Sequence, residues 1–121
     1  MTPYEFVYEM KCISKDNEKA RNKYGYYYVS DKFKKFESDL IMITRSQIKT
    51  KYPHFRIITG PCKVEIVLHY KDGRHIDIGN APKSVLDAMN EVVWSDDSQI
   101  VDLHIIQWID GKEQITLRVW G

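Results

Sequence analysis

Cysteine is nearly absent from this chain. Cys12 and Cys62 are the only two, and they stand in no metal-ligand spacing, so neither a disulfide scaffold nor a cysteine-built metal centre organises the fold. Long apolar runs are missing as well: nothing approaches the roughly 18 consecutive apolar residues of a membrane-spanning helix, and no signal peptide is visible. There is no glycine-rich phosphate loop and no nucleophile elbow, and the four histidines, His54, His69, His75 and His104, are scattered rather than clustered. The net charge is only +1, without the strong basicity of many nucleic-acid binders. These absences set aside a secreted disulfide-rich protein, a membrane helix, a P-loop enzyme, a serine hydrolase and a zinc site. The expectation that remains is a reduced, cytoplasmic protein with no membrane partner.

What is present argues for a packed core. A hydrophobic fraction of 43%, with eight tyrosines and three tryptophans, argues against a disordered chain. At 121 residues it is expected to fold as one domain over 1–121, with both cysteines acting as small buried hydrophobes. The small net charge hides an uneven distribution. Lys11, Lys15, Lys19, Arg21 and Lys23 face only Asp16 and Glu18 over residues 11–23, and Lys32, Lys34, Lys35, Lys49 and Lys51 follow. Residues 87–113 instead carry Asp87, Glu91, Asp96, Asp97, Asp102, Asp110 and Glu113 against the single base Lys112. A basic half and an acidic half suit a phosphate-binding surface around a cation site; two solvated faces of a mixed-charge surface are the plainer alternative.

Periodicity supplies the elements. Tyr4, Phe6, Val7, Tyr8 and Met10 predict a first strand over 4–13, followed by a long polar loop over 14–25 that could order on a polyanion. Residues 26–29 read as extended, and Ser30 is placed to cap a helix over 31–51, whose apolar stripe is Phe33, Phe36, Leu40, Ile41, Thr44 and Ile48. From Pro61 the chain alternates, with Val64, Ile66, Leu68 and Tyr70 on one face. After a Lys71-Asp72-Gly73 turn, Asn80 and Pro82 open a second helix with Val85, Leu86, Met89, Val92 and Val93 inward and Lys83, Asp87 and Glu91 outward. Finally Val101, Leu103, Ile105 and Ile109, then Asp110-Gly111, then Ile115, Leu117 and Val119 predict a C-terminal β-hairpin. The sum is an α+β domain with a mixed sheet and two main helices packed on it.

Residues 75–100 hold the most chemistry, with acids at both ends of the second helix and Lys83 in its first turn. The order Asp77, Asn80, Lys83, Leu86-Asp87-Ala88, Trp94 and Asp96-Asp97-x-Gln99 resembles the RusA-type Holliday junction resolvases, over residues 4–120. The family pattern is D-x-D-N-x-x-K, then L-D-A-L, then D-D-x-Q, and here Gly79 stands where the second aspartate would be. The resemblance implies a dimeric, magnesium-dependent endonuclease that resolves Holliday junctions or related branched DNA by paired nicks, encoded by a bacterium or a phage. It makes Asp77 and Asp97 the first-choice metal ligands, Asp96 a supporting ligand, and Lys83 the cation beside the scissile phosphate.

Magnesium takes hard oxygen ligands and keeps several waters, so two or three carboxylates suffice, with Mn2+ as the substitute ion. Lys83 has a structural alternative, an i, i+4 ion pair with Asp87. Asn80 reads as a helix cap. Phosphate contacts are expected from Lys11, Lys15, Lys19, Arg21, Lys23, Lys32, Lys35 and Arg74. The alternative function is a junction-binding protein of the same fold, its catalysis impaired by Gly79. For a single site to form, the acids at the two ends of the second helix have to converge.

Overall fold

The computed structural model describes residues 2–14, 19–21, 24–25, 27–74 and 79–121. Its elements in chain order are β1 (Tyr4–Tyr8), β2 (Lys19–Arg21), β3 (Tyr27–Val29), α1 (Asp31–Lys51), β4 (Cys62–Tyr70), α2 (Asn80–Ala88), β5 (Ile100–Ile109) and β6 (Gln114–Trp120), with a 3-10 turn at Asp97–Gln99. The main sheet runs β1-β6-β4-β5. Only the β4/β5 pair is parallel; β6 runs antiparallel to both β4 and β1. This is the expected α+β domain with a mixed sheet.

Helix α1 has the predicted limits, because its ends are marked chemically. Ser30 Oγ accepts from the Phe33 amide at 3.2 Å, Asp31 sits in the first turn, and Lys49 and Lys51 in the last. Phe33, Phe36, Leu40 and Thr44 are buried, while Ile41 and Ile48 pack at the margin. They meet Val64, Ile66, Leu68 and Tyr70 of β4, Phe6 and Tyr8 of β1, and Ile115, Leu117 and Val119 of β6 in one cluster. Inside it the Tyr8 hydroxyl bonds to Thr44 Oγ1, which in turn donates to the Leu40 carbonyl at 2.7 Å. Burial without a charged partner pushes the Tyr8 phenol's pKa upward. Both cysteines are free and buried; Cys12 Sγ donates to the Ala81 carbonyl at 3.2 Å, and desolvation pushes its thiol up to about 12.

Four expectations need correction. The first strand stops at Tyr8 instead of running to residue 13. The 14–25 segment is not all loop, since Lys19–Arg21 pairs antiparallel with Tyr27–Val29. Helix α2 ends at Ala88 rather than near Val93. Glu91 takes φ 66°, a left-handed conformation uncommon outside glycine and asparagine, and its amide turns to the Trp94 carbonyl at 2.7 Å. Val92, Val93 and Trp94 are still buried, but from a turn whose backbone is clipped to Ile58 on both sides, Ile58 N to Val93 O at 2.9 Å and Ser95 N to Ile58 O at 3.1 Å. Glu91 therefore does not share a helical face with Lys83 and Asp87.

The fourth correction is the hairpin. The turn forms at Asp110-Gly111, with Gly111 at φ 82°, but β5 and β6 are not neighbours, because β4 lies between them. The turn is tied to the end of β4 instead of closing on itself: Asp110 N donates to Tyr70 O at 3.2 Å, and Asp110 Oδ2 meets His69 Nδ1 at 2.7 Å. This leaves β5 as an edge strand, with Val101 74%, Trp108 56% and Ile109 62% exposed.

The two sheet edges are treated differently. Along β1, side chains of α1 and its C-cap occupy the free backbone: Gln47 accepts from Val7 N at 3.2 Å and donates to Val7 O at 2.7 Å, and the hydroxyl of the C-cap residue Tyr52 accepts from Glu5 N at 2.9 Å. Along β5 no hydrogen bond covers the outer edge among the described residues. No helix among them is long and apolar enough to cross a membrane. Because Leu40 is fully buried where α1 meets the sheet, Leu40→Ala should lower unfolding free energy by about 2–5 kcal/mol in urea denaturation.

Candidate active site

The D-D-x-Q segment is built as a rigid turn. Asp96 takes an extended conformation and caps the 3-10 turn, its Oδ2 accepting from Ser98 N at 3.0 Å, while Gln99 Oε1 accepts from Asp96 N at 2.9 Å. This reciprocal pair is a capping box. Gln99 also anchors the turn to the preceding loop, its amide nitrogen donating to the carbonyls of Ile58 at 2.8 Å and Gly60 at 3.0 Å. Motif order alone assigns Gln99 no task, although an acid followed three residues later by glutamine is itself a capping-box signature. Behind the turn, the buried Trp94 donates its indole N–H to Asn90 Oδ1 at 2.9 Å.

The two acids consequently differ. Hydrogen bonds from Ser98 hold the Asp96 carboxyl below its ordinary value, and that side chain serves the turn. The carboxylate of Asp97, half-buried at the first position of the same turn, has no hydrogen-bond or ion-pair partner among the described residues. Of the pair, Asp97 is the carboxylate left available to an added cation.

At the start of α2, Gly79 holds the N-cap position and Asn80 is the first helical residue, so the asparagine is not the side-chain cap the sequence suggested. Lys83 and Asp87 are both exposed, and no ion pair joins them. The structural alternative for Lys83 is thus not realised, and its ammonium projects from the first turn into solvent. Asp77 lies outside the described residues, as does His75. Among the described residues no three acidic, histidine or cysteine side chains gather in a metal-binding group.

Asp97 and the first turn of α2 stand apart in the fold. The turn that bears Asp97 leads directly into Ile100, which pairs with Cys62 at the beginning of β4. The first turn of α2 follows the far end of β4, where the Ala81 carbonyl meets Cys12 beyond β1. A nine-residue strand spans roughly 30 Å, so Asp97 and the first turn of α2 lie at opposite ends of β4, while Asp77, the acid expected to converge with Asp97, falls outside the described residues.

The basic residues divide similarly. Lys11, Lys32 and Lys35, distant in sequence, line one groove of about 320 Å3 together with Met10, Phe36 and Asp39. Asp39 holds the Lys35 ammonium at 2.8 Å. Arg74 is gripped by Asp72 through Nη2 at 3.0 Å, and the charge of Lys11 adds to the lowering of the Asp72 carboxyl's pKa that the Arg74 hydrogen bonds begin. Lys19 and Arg21 lie in β2, and Lys15 and Lys23 fall outside the described residues. The groove opens at the end of the sheet where α2 starts, since Glu113, just before β6, also borders it.

The family model for endodeoxyribonuclease RusA matches residues 9–120. The chain belongs to the RusA endodeoxyribonuclease family. It is therefore a hydrolase acting on DNA, of a family that resolves Holliday junctions and is in general divalent-metal dependent. No curated protein matches the chain.

The Asp96 cap carries a pH signature. A carboxyl whose folded pKa is lowered stabilises the fold above its unfolded value, near 3.8, and that stabilisation is lost as the pH falls through the lowered value. Asparagine caps without titrating. Asp96→Asn should thus remove the part of the acid-limb stability loss that arises below about pH 4, measured as the difference between the two proteins' denaturation midpoints across pH 2–6.

Proposed function

We propose that this protein is a magnesium-dependent, structure-specific endonuclease that binds four-way or related branched DNA and nicks it in opposed strands as a homodimer. The observation that carries the reading is the unengaged carboxylate of Asp97, held on a turn that Asp96 and Gln99 make rigid, within a match to the family over almost the whole chain. Asp97 and Asp77 would hold the cation, with the second carboxylate oxygen of Asp96 in support. Bound magnesium polarises a phosphate oxygen and lowers the pKa of water, and Mn2+ does the same. The donor set suits such a hard ion, because every candidate ligand is a carboxylate oxygen.

The chain's own contribution is positional and electrostatic. Lys83, without an ion-pair partner among the described residues, offsets the negative charge that grows on the phosphoryl oxygens. The groove of Lys11, Lys32 and Lys35, together with Arg74 and with Lys15, Lys19, Arg21 and Lys23 from the segment before α1, holds the duplex arms by their phosphates. Such contacts give affinity without sequence readout and make it fall steeply with salt. The dimer has a symmetry reason, since a four-way junction is two-fold symmetric. It has a structural one too. Asp97 and the first turn of α2, with Lys83, lie at opposite ends of β4, and a second copy can bring another Lys83 to the Asp97 end.

Gly79 supports a second reading, in which the fold binds junctions without cutting them, because glycine offers no carboxylate. The position is sterically open: a Cβ there meets nothing within 4 Å, and φ is −85°. A nicking assay on labelled four-way junctions and matched linear duplex, with magnesium, manganese or chelator, separates the readings. Symmetric, metal-dependent cuts confined to the junction are expected. Asp77→Asn and Asp97→Asn should each reduce cutting by on the order of a hundredfold or more while leaving junction affinity intact. Unaltered cleavage in both variants would remove them from the site, and tight binding without cuts under any metal would establish the binding-only reading. Gly79→Asp should raise the nicking rate where the absent ligand limits it, without loss of fold.

A further inference from the structure

Two of the three tryptophans are engaged inside the fold. Trp94 is fully buried and donates to Asn90, and Trp120 is half-buried with the Lys63 ammonium 4.9 Å over its ring. Trp108 differs from both. It is 56% exposed, and its indole makes no hydrogen bond and no ring contact among the described residues.

The sheet register places that ring. Trp108 pairs with His69, and His69 pairs with Gln114, so the three share a row on the face opposite Leu68 and Tyr70. The helices bury their apolar stripes against the Leu68 and Tyr70 face, in one cluster with Leu40, Val85 and Met89, and neither covers Trp108. The exposed apolar residues Leu103, Ile105 and Ile109 alternate to the helix side, so the sheet itself parts them from the indole.

The surroundings of Trp108 are fixed and cationic. His69 Nδ1 meets Asp110 Oδ2 at 2.7 Å, which commits that carboxylate and holds the imidazole in the row beside the indole. Asp72 is committed to Arg74 at 3.0 Å, and Glu113 borders the groove of Lys11. Lys71, directly after β4, and Lys112, in the turn between β5 and β6, are exposed and form no ion pair among the described residues. This is also the end of the sheet from which the motif segment departs. A Cβ on Gly73 would meet Ile109 Cδ1 at 3.6 Å, so the turn after β4 lies against the end of β5.

An exposed ring with two uncommitted ammonium groups at the same end of the sheet matches one class of ligand. An unpaired nucleotide presents a flat base for stacking and a phosphate on either side, whereas a base inside a duplex has its faces covered by its neighbours. An apolar protein surface would match the ring but would take Lys71 and Lys112 out of water without a counter-charge. We propose that Trp108 is a stacking platform for an unpaired base of branched DNA, with Lys71 and Lys112 holding the flanking phosphates. This rests on the branched-DNA part of the proposed function and names what the bare sheet face recognises in that substrate.

The test places 2-aminopurine at an unpaired position at the branch of a junction oligonucleotide and follows its emission as the protein is added, with chelator present to prevent cutting. Stacking on the indole should quench the base, and Trp108→Ala should abolish the quenching. The same variant should bind this junction and single-stranded oligonucleotide about tenfold more weakly, with affinity for linear duplex unchanged and most of the loss recovered in Trp108→Phe. Lys71→Gln and Lys112→Gln should each lower affinity and flatten its salt dependence. Quenching that survives Trp108→Ala, or an equal loss on linear duplex, would overturn the platform. So would a smaller sedimenting species for Trp108→Ala without DNA, because a second copy would then be what covers the ring. Where the unaltered protein nicks junctions in the presence of metal, these outcomes overturn the platform alone; failure to bind any branched DNA would overturn the proposed function with it.

Discussion

Strand β4 has no free edge: β5 occupies one side in parallel and β6 the other in antiparallel. Most of the architecture depends on that double pairing. Inward it sets Val64, Ile66, Leu68 and Tyr70 under the helices, and outward it lines up Glu65 with Arg118, whose guanidinium spans to Glu65 at 2.6 Å and to Glu5 of β1 at 2.8 Å. By taking the place beside β6 that a hairpin would have given to β5, it also turns β5 into an edge. A parallel β4/β5 pair demands a crossover, and α2 with its following turn is that crossover. The motif segment is thus the connection that the sheet's topology requires.

The crossover explains the division of labour at the site. A connection that begins at one end of β4 and returns to the other carries Lys83 and Asp97 to opposite ends of the strand. Trp94, Asn90 and the Ile58 clip fix the returning end, and the capping box of Asp96 and Gln99 fixes the turn on which Asp97 stands. Precise placement of a single free carboxylate uses several buried or hydrogen-bonded neighbours, which is how a functional group on a loop acquires the rigidity of the scaffold.

Most of the local structure was legible from the residues. Ser30, Asp31 and the Phe33–Phe36–Leu40 spacing mark α1 because caps and amphipathic periodicity are local physics, and β4 alternates because one of its faces is buried. The failures share a cause. The stripe Val85, Leu86, Met89, Val92 and Val93 predicts burial correctly, yet burial is compatible with a turn as well as a helix, and the backbone bonds to Ile58 choose the turn. The Asp110-Gly111 turn is likewise real, but a turn signal does not say which strand its arms will meet.

The sequence by itself determined the elements, the core side chains, the family and the residues on which a phosphodiester site can draw, because each depends on side-chain type and short-range spacing. Tertiary structure alone decided that β5 and β6 are parted by β4, that Asp96 is committed to a cap while Asp97 is free, and that Lys83 stands without Asp87. The first outcome depends on pairings between strands far apart in the chain, where the free energy belongs to both partners and neither sequence carries it alone. The Asp96 cap is local but is anchored by the Gln99 bonds to Ile58 and Gly60, and an exposed i, i+4 pair such as Lys83 and Asp87 is too weak to be fixed by spacing.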